Sequence, residues 1–197
     1  HPTKIILSSV IKHRAGLEAQ LGAAAKFHML GHASKLPITT PVGKPETIGA
    51  DRLAICSAAV DLFRGQHNLA IGLGTCITYN FTNKYHEFLG GSISPGMNMR
   101  FRAMHEQTAL LPLIEAQNQF PLVGYDTKTN LLSGVILGMA KEIDGIIEAY
   151  AEKYSNFNVL LTGGDMPYFV PHLKNRIFAD PNLIFKGLYA ISEFNNG

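Results

Sequence analysis

The stretch at residues 68–96, NLAIGLGTCITYNFTNKYHEFLGGSISPG, leaves the chain few ways to fold. An apolar run broken by Gly72 and Gly74 reaches a turn at Thr75, after which Ile77, Tyr79 and Phe81 alternate with Cys76, Thr78, Asn80 and Thr82. An apolar run and a period-two alternation flanking a glycine turn predict a strand, a turn and a second strand. The Thr82-Asn83-Lys84 cluster reverses the chain again, and residues 87–93 return as a third strand that Ser94-Pro95-Gly96 ends. In the first turn the glycines remove Cβ atoms and let backbone N–H groups approach a ligand, while the Thr75 hydroxyl adds a donor, so the turn can hold phosphate. A glycine pair in a strand also marks a bulge or tight sheet packing, and the local pattern leaves both readings open.

A chain of 197 residues can bury one large or two small cores, and 46% hydrophobic with 16% charged residues describes a packed protein rather than a disordered one. The formal charge of +2 and the lack of any Lys/Arg run argue against a nucleic-acid surface. Two cysteines, Cys56 and Cys76, cannot build a disulfide framework or a zinc site of usual spacing, and both read as inert buried thiols of a reducing compartment. Histidines such as His28, His32, His67, His86, His105 and His172 are scattered and do not pair on a helix, so no metal site is expected. No apolar run approaches the ~18 residues of a membrane span and no signal peptide opens the chain, which points to the cytoplasm.

His1-Pro2 is not a natural start, and IILSSV follows almost at once as an interior-type strand, so the chain is expected to enter its fold partway through. Residues 12–25 predict a short helix and 26–30 a strand. Pro37, Pro41, Gly43 and Pro45 then form an irregular segment, which places a domain boundary between 1–48 and 49–197, with the helix after Gly49 able to bridge the two. Apolar positions in 51–64 follow a helical stripe, putting Asp51 in the first turn beside Arg52. Asp51 there reads either as a helix cap or as a general base whose ionised form the helix terminus favours, with Arg52 as an anion clamp. Residues 97–111 and 130–154 predict helices, the second the central packing helix of its half, and a final helix spans 183–194. Asp126 reads as a turn former. A strand at 158–161 ends in the glycine turn Thr162-Gly163-Gly164-Asp165, where Asp165 either caps the next segment or meets a nucleotide.

Five segments occur in order along essentially the whole chain: GADR at 49–52, GT at 74–75, GGSISPG at 90–96, GYDT at 124–127 and LTGGD at 161–165. Together they resemble the type III pantothenate kinases. The resemblance implies the α/β actin-like ATPase fold, ribonuclease H-like, with duplicated domains flanking a nucleotide cleft and the first domain incomplete at its N-terminus. It also implies ATP-dependent phosphorylation of pantothenate, the opening step of coenzyme A synthesis, with Mg2+ and a monovalent cation, K+ or NH4+. Asp51 would be the proton acceptor; Gly49, Ala50, Asp51 and Arg52 would hold pantothenate, joined by Thr127; Gly74 and Thr75 would contact ATP phosphate. Members of this family are similar in forming homodimers whose substrate site includes the neighbouring subunit.

Three positions depart from that pattern. The Asp-x-Gly-Asn-Thr phosphate loop near the family's amino terminus is missing, so little kinase activity is expected of this polypeptide by itself. Gly72 stands where the family has a cation-binding aspartate, and Val42 where it tends to have tyrosine. Two alternatives accompany the kinase reading. One is a non-catalytic regulator that binds a nucleotide or protein, as in the transcription accessory factors of the same resemblance; the other is a kinase of the same superfold for a different small hydroxylated substrate. Asp51 and Arg52 favour the pantothenate kinase, because a binding-only protein has no chemical need for a base.

Overall fold

The computed structural model describes residues 2–9, 13–31 and 34–196, so Val10, Lys12 and His32 of the sequence reading lie outside the described residues. The chain divides into two compact units, each discontinuous in sequence: His1–Asn68, Phe81–Gly90 and Asn182–Gly197 form the first, Leu69–Asn80 and Gly91–Pro181 the second.

In the first unit β1 (Lys4–Leu7) and β2 (Lys26–Met29) pair in parallel, Lys4 opposite Lys26 and Leu7 opposite Met29. Helix α1 (Leu17–Ala24) connects them and buries none of its residues. It starts later than the periodicity predicts because Gly16 takes a left-handed φ of 86°, which no helix interior accommodates. Helix α2 (Ala50–Leu62) is buried continuously from Leu53 to Val60, more completely than the predicted stripe. Both of its sides are covered. Leu53, Cys56 and Val60 join Ile38, Ile48 and Phe88 in one cluster, with Leu36 and Val42 packed at its edge. On the other side α6 (Leu183–Asn196) crosses so closely that a Cβ on Gly187 would lie 1.8 Å from the Ala54 carbonyl oxygen. Only glycine permits that crossing.

Most of a five-stranded sheet lies in the second unit, in the order β5-β4-β3-β6-β7, from β3 (His67–Leu73), β4 (Cys76–Thr82), β5 (Phe88–Pro95), β6 (Phe157–Thr162) and β7 (Phe178–Ala179). The three strands expected from residues 68–96 are present as a meander; two residues join β3 to β4, which makes that pair antiparallel. Strand β4 is buried at every position from Ile77 to Thr82, although its alternation suggests one wet face. Its polar residues find partners inside: Asn80 Nδ2 donates to the Ala70 carbonyl at 3.0 Å and to Thr78 Oγ1 at 3.1 Å. Strand β7 pairs in parallel with β6, Leu160 opposite Phe178, and is too short to leave a periodic signal.

Helix α3 (Met97–Glu106) stops short of the predicted residue 111. The Thr108 hydroxyl donates to the Met104 carbonyl at 2.6 Å, serving an end that helical N–H groups no longer reach. Helix α4 (Thr127–Lys153) begins three residues before the predicted start because Asp126 is its cap: the Asp126 carboxylate accepts the Thr129 N–H at 2.7 Å and the Thr129 hydroxyl at 2.7 Å. These bonds hold the Asp126 carboxyl below its ordinary range. Short α5 (Met166–Phe169) follows β6. No helix among the described residues is long and apolar enough to cross a membrane.

Asp144, buried on α4, anchors the chain that follows α5. Burial opposes its ionisation, but its carboxylate accepts the Lys174 N–H at 3.1 Å, the Asn175 N–H at 3.1 Å and Asn175 Nδ2 at 2.9 Å, and these bonds outweigh burial and lower its pKa. A depressed carboxyl stabilises the fold above its unfolded value of about 4, and the contribution fades as pH falls through the folded value. Asp144→Asn puts an amide donor against two N–H groups and costs about 2 kcal/mol at neutral pH. Urea unfolding at pH 7 and pH 3 checks this: the difference between wild type and Asp144→Asn shrinks at the lower pH.

Candidate active site

Gly49 is the N-cap of α2, and a short 3-10 turn at Pro45–Thr47 leads into it. Ala50, Asp51 and Arg52 form the first helical turn. Asp51 is exposed in the first turn of α2, where Gly49 holds the N-cap position. The Asp51 Oδ1 lies against Gly49, 2.5 Å from where a Cβ there would sit. The Arg52 guanidinium stands over the buried Phe88 ring, 5.5 Å from the centroid. This cation–π contact orients Arg52 from the same cluster that packs α2. One turn further, burial pushes the Cys56 thiol up to about 12, with Arg52 working against the rise and Asp51 adding to it. Cys56 is therefore an inert thiol, as expected; Cys76 differs from expectation in being only half-buried.

The second unit holds the Thr75 turn. Gly74 and Thr75 are exposed, whereas Gly72, half-buried in β3, brings no side chain. Two neighbours fix the turn. From one side the Gly96 N–H donates to the Thr75 carbonyl at 3.1 Å. From the other, the Asp165 N–H donates to the Leu73 carbonyl at 3.3 Å, and Gly163, at φ +112°, passes so near that a Cβ would meet the Leu73 oxygen at 2.0 Å. A cavity of about 1060 Å³ opens beside the turn, lined among others by Gly74, Thr75, Met99, Arg102, Asp165 and Tyr168. Asp165 makes no capping hydrogen bond to α5, and burial raises its carboxyl above the ordinary value.

Behind this turn lies a polar network that periodicity does not reveal. Arg100 donates through Nε to the Pro95 carbonyl at 2.9 Å, through Nη2 to Ser94 Oγ at 3.0 Å, and forms an ion pair with Glu142 of α4. The Tyr79 hydroxyl donates to the other Glu142 oxygen at 3.1 Å. Burial works against the Glu142 charge, yet Arg100, Ser94 and Tyr79 together keep its carboxyl low. Burial and the facing carboxylate push the Tyr79 phenol well above its usual range. The connection of Arg100 to Glu142, 42 positions away, leaves no local trace in the sequence.

The structure thus groups Gly49, Ala50, Asp51 and Arg52 at one helix end in the first unit, and Gly74 with Thr75 on the cavity of the second. Thr127 is exposed at the start of α4 and does not line that cavity. Among the described residues no group of three or more His, Cys, Asp or Glu could hold a metal ion.

Known proteins match along the chain. The family model for type III pantothenate kinase matches residues 1–149. A type III pantothenate kinase of Cytophaga hutchinsonii is 42% identical over 194 residues, covering 98% of this chain and 82% of the relative. One from Christiangramia forsetii is 40% identical over 192 residues, with 98% and 79% covered. One from Bacteroides fragilis is 42% identical over 195 residues, with 98% and 80% covered. Among solved structures, one from Campylobacter jejuni described as a conserved Baf family transcriptional activator superposes with a TM-score of 0.64 at 21% identity, over 99% of this chain and 84% of that one, a likeness of fold alone. The α/β architecture expected from the resemblance is accordingly present, and the chain belongs to the type III pantothenate kinase family.

Proposed function

We propose that this protein transfers the γ-phosphoryl group of ATP to the primary hydroxyl of pantothenate, the first step of coenzyme A synthesis. The observation that carries the reading is the exposed Thr75 turn, held from both sides and opening on a cavity of about 1060 Å³, in a chain 42% identical to a type III pantothenate kinase. Backbone N–H groups and the Thr75 hydroxyl bind phosphate oxygens. Asp51 takes the hydroxyl proton as the oxygen attacks the γ-phosphorus and ADP leaves, and Arg52 pairs with the pantothenate carboxylate. Phosphoryl transfer asks mainly for positioning and charge stabilisation, which a fixed turn, a base and a clamp supply. Magnesium fits as a companion of the nucleotide phosphates rather than as a resident ion, because the described residues offer no acidic cage. When bound it neutralises phosphate charge.

We infer a homodimer in which Thr127 serves pantothenate at the neighbouring subunit's site. Just before Thr127, Leu122, Val123 and Tyr125 are 77%, 80% and 81% exposed, an apolar run that a second copy would cover. Val123→Asp is expected to shift the protein from dimer to monomer in sedimentation experiments; an unchanged dimer would remove this segment from the interface.

The protein is expected to convert pantothenate and ATP to phosphopantothenate in the presence of magnesium. Asp51→Asn lowers kcat by about 100-fold or more and leaves pantothenate affinity in place. Near-wild-type turnover of Asp51→Asn would sink the base assignment. Because Gly72 lacks a carboxylate, replacing potassium by a bulky organic cation is expected to change turnover by no more than about twofold. Strong potassium activation in the same assay would show that another group supplies the cation site.

A further inference from the structure

We propose that Arg102 holds the phosphate farthest from the Thr75 turn, so that the turn and the guanidinium together span a linear triphosphate. The inference deepens the reading of Thr75 as the phosphate turn and rests on it. Helix α3 starts at Gly96, whose N–H donates to the Thr75 carbonyl at 3.1 Å. Arg102 follows six residues later, about 9 Å along the helix axis, a separation on the scale of a short phosphate chain. Long side chains on a helix lean back toward its start, which for Arg102 is the direction of the turn. Thr75 and Arg102 line one cavity, and Arg102 is the only lysine or arginine among its lining residues. The two residues of α3 that carry a guanidinium nearest the turn are used differently. Arg100 is engaged by Glu142, Ser94 and the Pro95 carbonyl. Arg102 is exposed, and among the described residues no carboxylate pairs with it, although Glu106 lies one turn further along α3 and Glu115 and Asp165 line the same cavity. The Asp165 carboxyl agrees, since burial alone raises it and no neighbouring cation draws it down. These three acids decide where an anion can sit. Beside Glu106, Glu115 or Asp165 a phosphate meets a like charge, which leaves the N–H groups of the turn at one end and the Arg102 fork at the other. A guanidinium without a carboxylate partner takes up phosphate oxygens in charge-assisted hydrogen bonds and gives up no ion pair to do so.

The test is calorimetric titration of the protein, in magnesium buffer, with pyrophosphate, tripolyphosphate and ATP. Wild type is expected to bind tripolyphosphate about tenfold more tightly than pyrophosphate. Arg102→Gln removes that gain and leaves pyrophosphate unchanged, while Arg102→Lys, a point charge without the fork, keeps part of it. ATP follows tripolyphosphate in all three proteins. Equal binding of pyrophosphate and tripolyphosphate by wild type overturns the proposal without any variant, as does the lack of tripolyphosphate binding. Arg102→Gln weakening pyrophosphate as much as tripolyphosphate also overturns it, since the guanidinium then acts on the whole cavity and not at the far phosphate. So does ATP binding that ignores Arg102→Gln. Thr75→Val separates the underlying reading: it is expected to weaken pyrophosphate and tripolyphosphate alike. Pyrophosphate binding that ignores Thr75→Val sinks the turn assignment, whereas the Arg102 assignment stands or falls on the gain from pyrophosphate to tripolyphosphate.

Discussion

The second unit depends on one junction, where the carbonyl of Leu73 at the end of β3 receives the amide of Asp165 just beyond β6. Two strand ends converge there, and neither could approach the other if Gly163 carried a side chain. Open α/β sheets bind ligands outside the carboxyl ends of their strands, and this junction is such an edge. The convergence brings the Gly74-Thr75 turn and an acidic residue to one cavity from segments some ninety positions apart. Each half alone is a common glycine turn. Joined, they can receive both a phosphate and the group attached to it.

Rigidity on the opposite side of the turn has a different source. Gly96 bonds Thr75, and Gly96 starts α3, whose Arg100 reaches back to Ser94 and Pro95. Glu142 then holds Arg100, and Tyr79 holds Glu142. This network uses charge for positioning, since the Arg100 guanidinium is engaged by Glu142, Ser94 and the Pro95 carbonyl. Arg102, two residues on, lines the cavity instead. Under the proposed function, a turn fixed on both sides meets phosphate with little reorganisation, which is where phosphoryl-transfer sites gain most of their advantage.

The sequence made the three-strand meander legible because each strand has its own composition and each turn its own chemistry. Helix α4 was equally legible from the spacing of Leu132, Ile136, Met139 and Ile143, all of which are buried. Its true start was within reach too, since Asp126 and Thr129 form a capping pair at the expected spacing. What could not be read locally came from long-range contact. The full burial of β4 requires both faces of the strand to be covered, and alternation along one strand carries no information about that. The Arg100–Glu142–Tyr79 network and the two-residue β7 are likewise products of assembly. Resemblance, rather than periodicity, pointed to Asp51, Arg52 and Thr127, because an acid in a first helical turn looks locally like any cap.

Packing then narrows what the first unit can do chemically. From Leu53 to Val60 helix α2 is enclosed, by the Phe88 cluster on one side and by α6 crossing at Gly187 on the other. No ligand can reach that length of helix. Its cysteine, Cys56, lies within the enclosed span with its thiol raised to about 12, so covalent chemistry through sulfur is closed to it. Chemistry near the start of α2 must therefore use the first turn, where Asp51 is exposed and Arg52 is steadied on Phe88. Of those two, only the carboxylate can accept a proton at neutral pH, because a guanidinium stays charged throughout. The burial of α2 thus leaves the start of this helix one carboxylate and one guanidinium, and under the proposed function these serve as the base and the anion partner on the acceptor side.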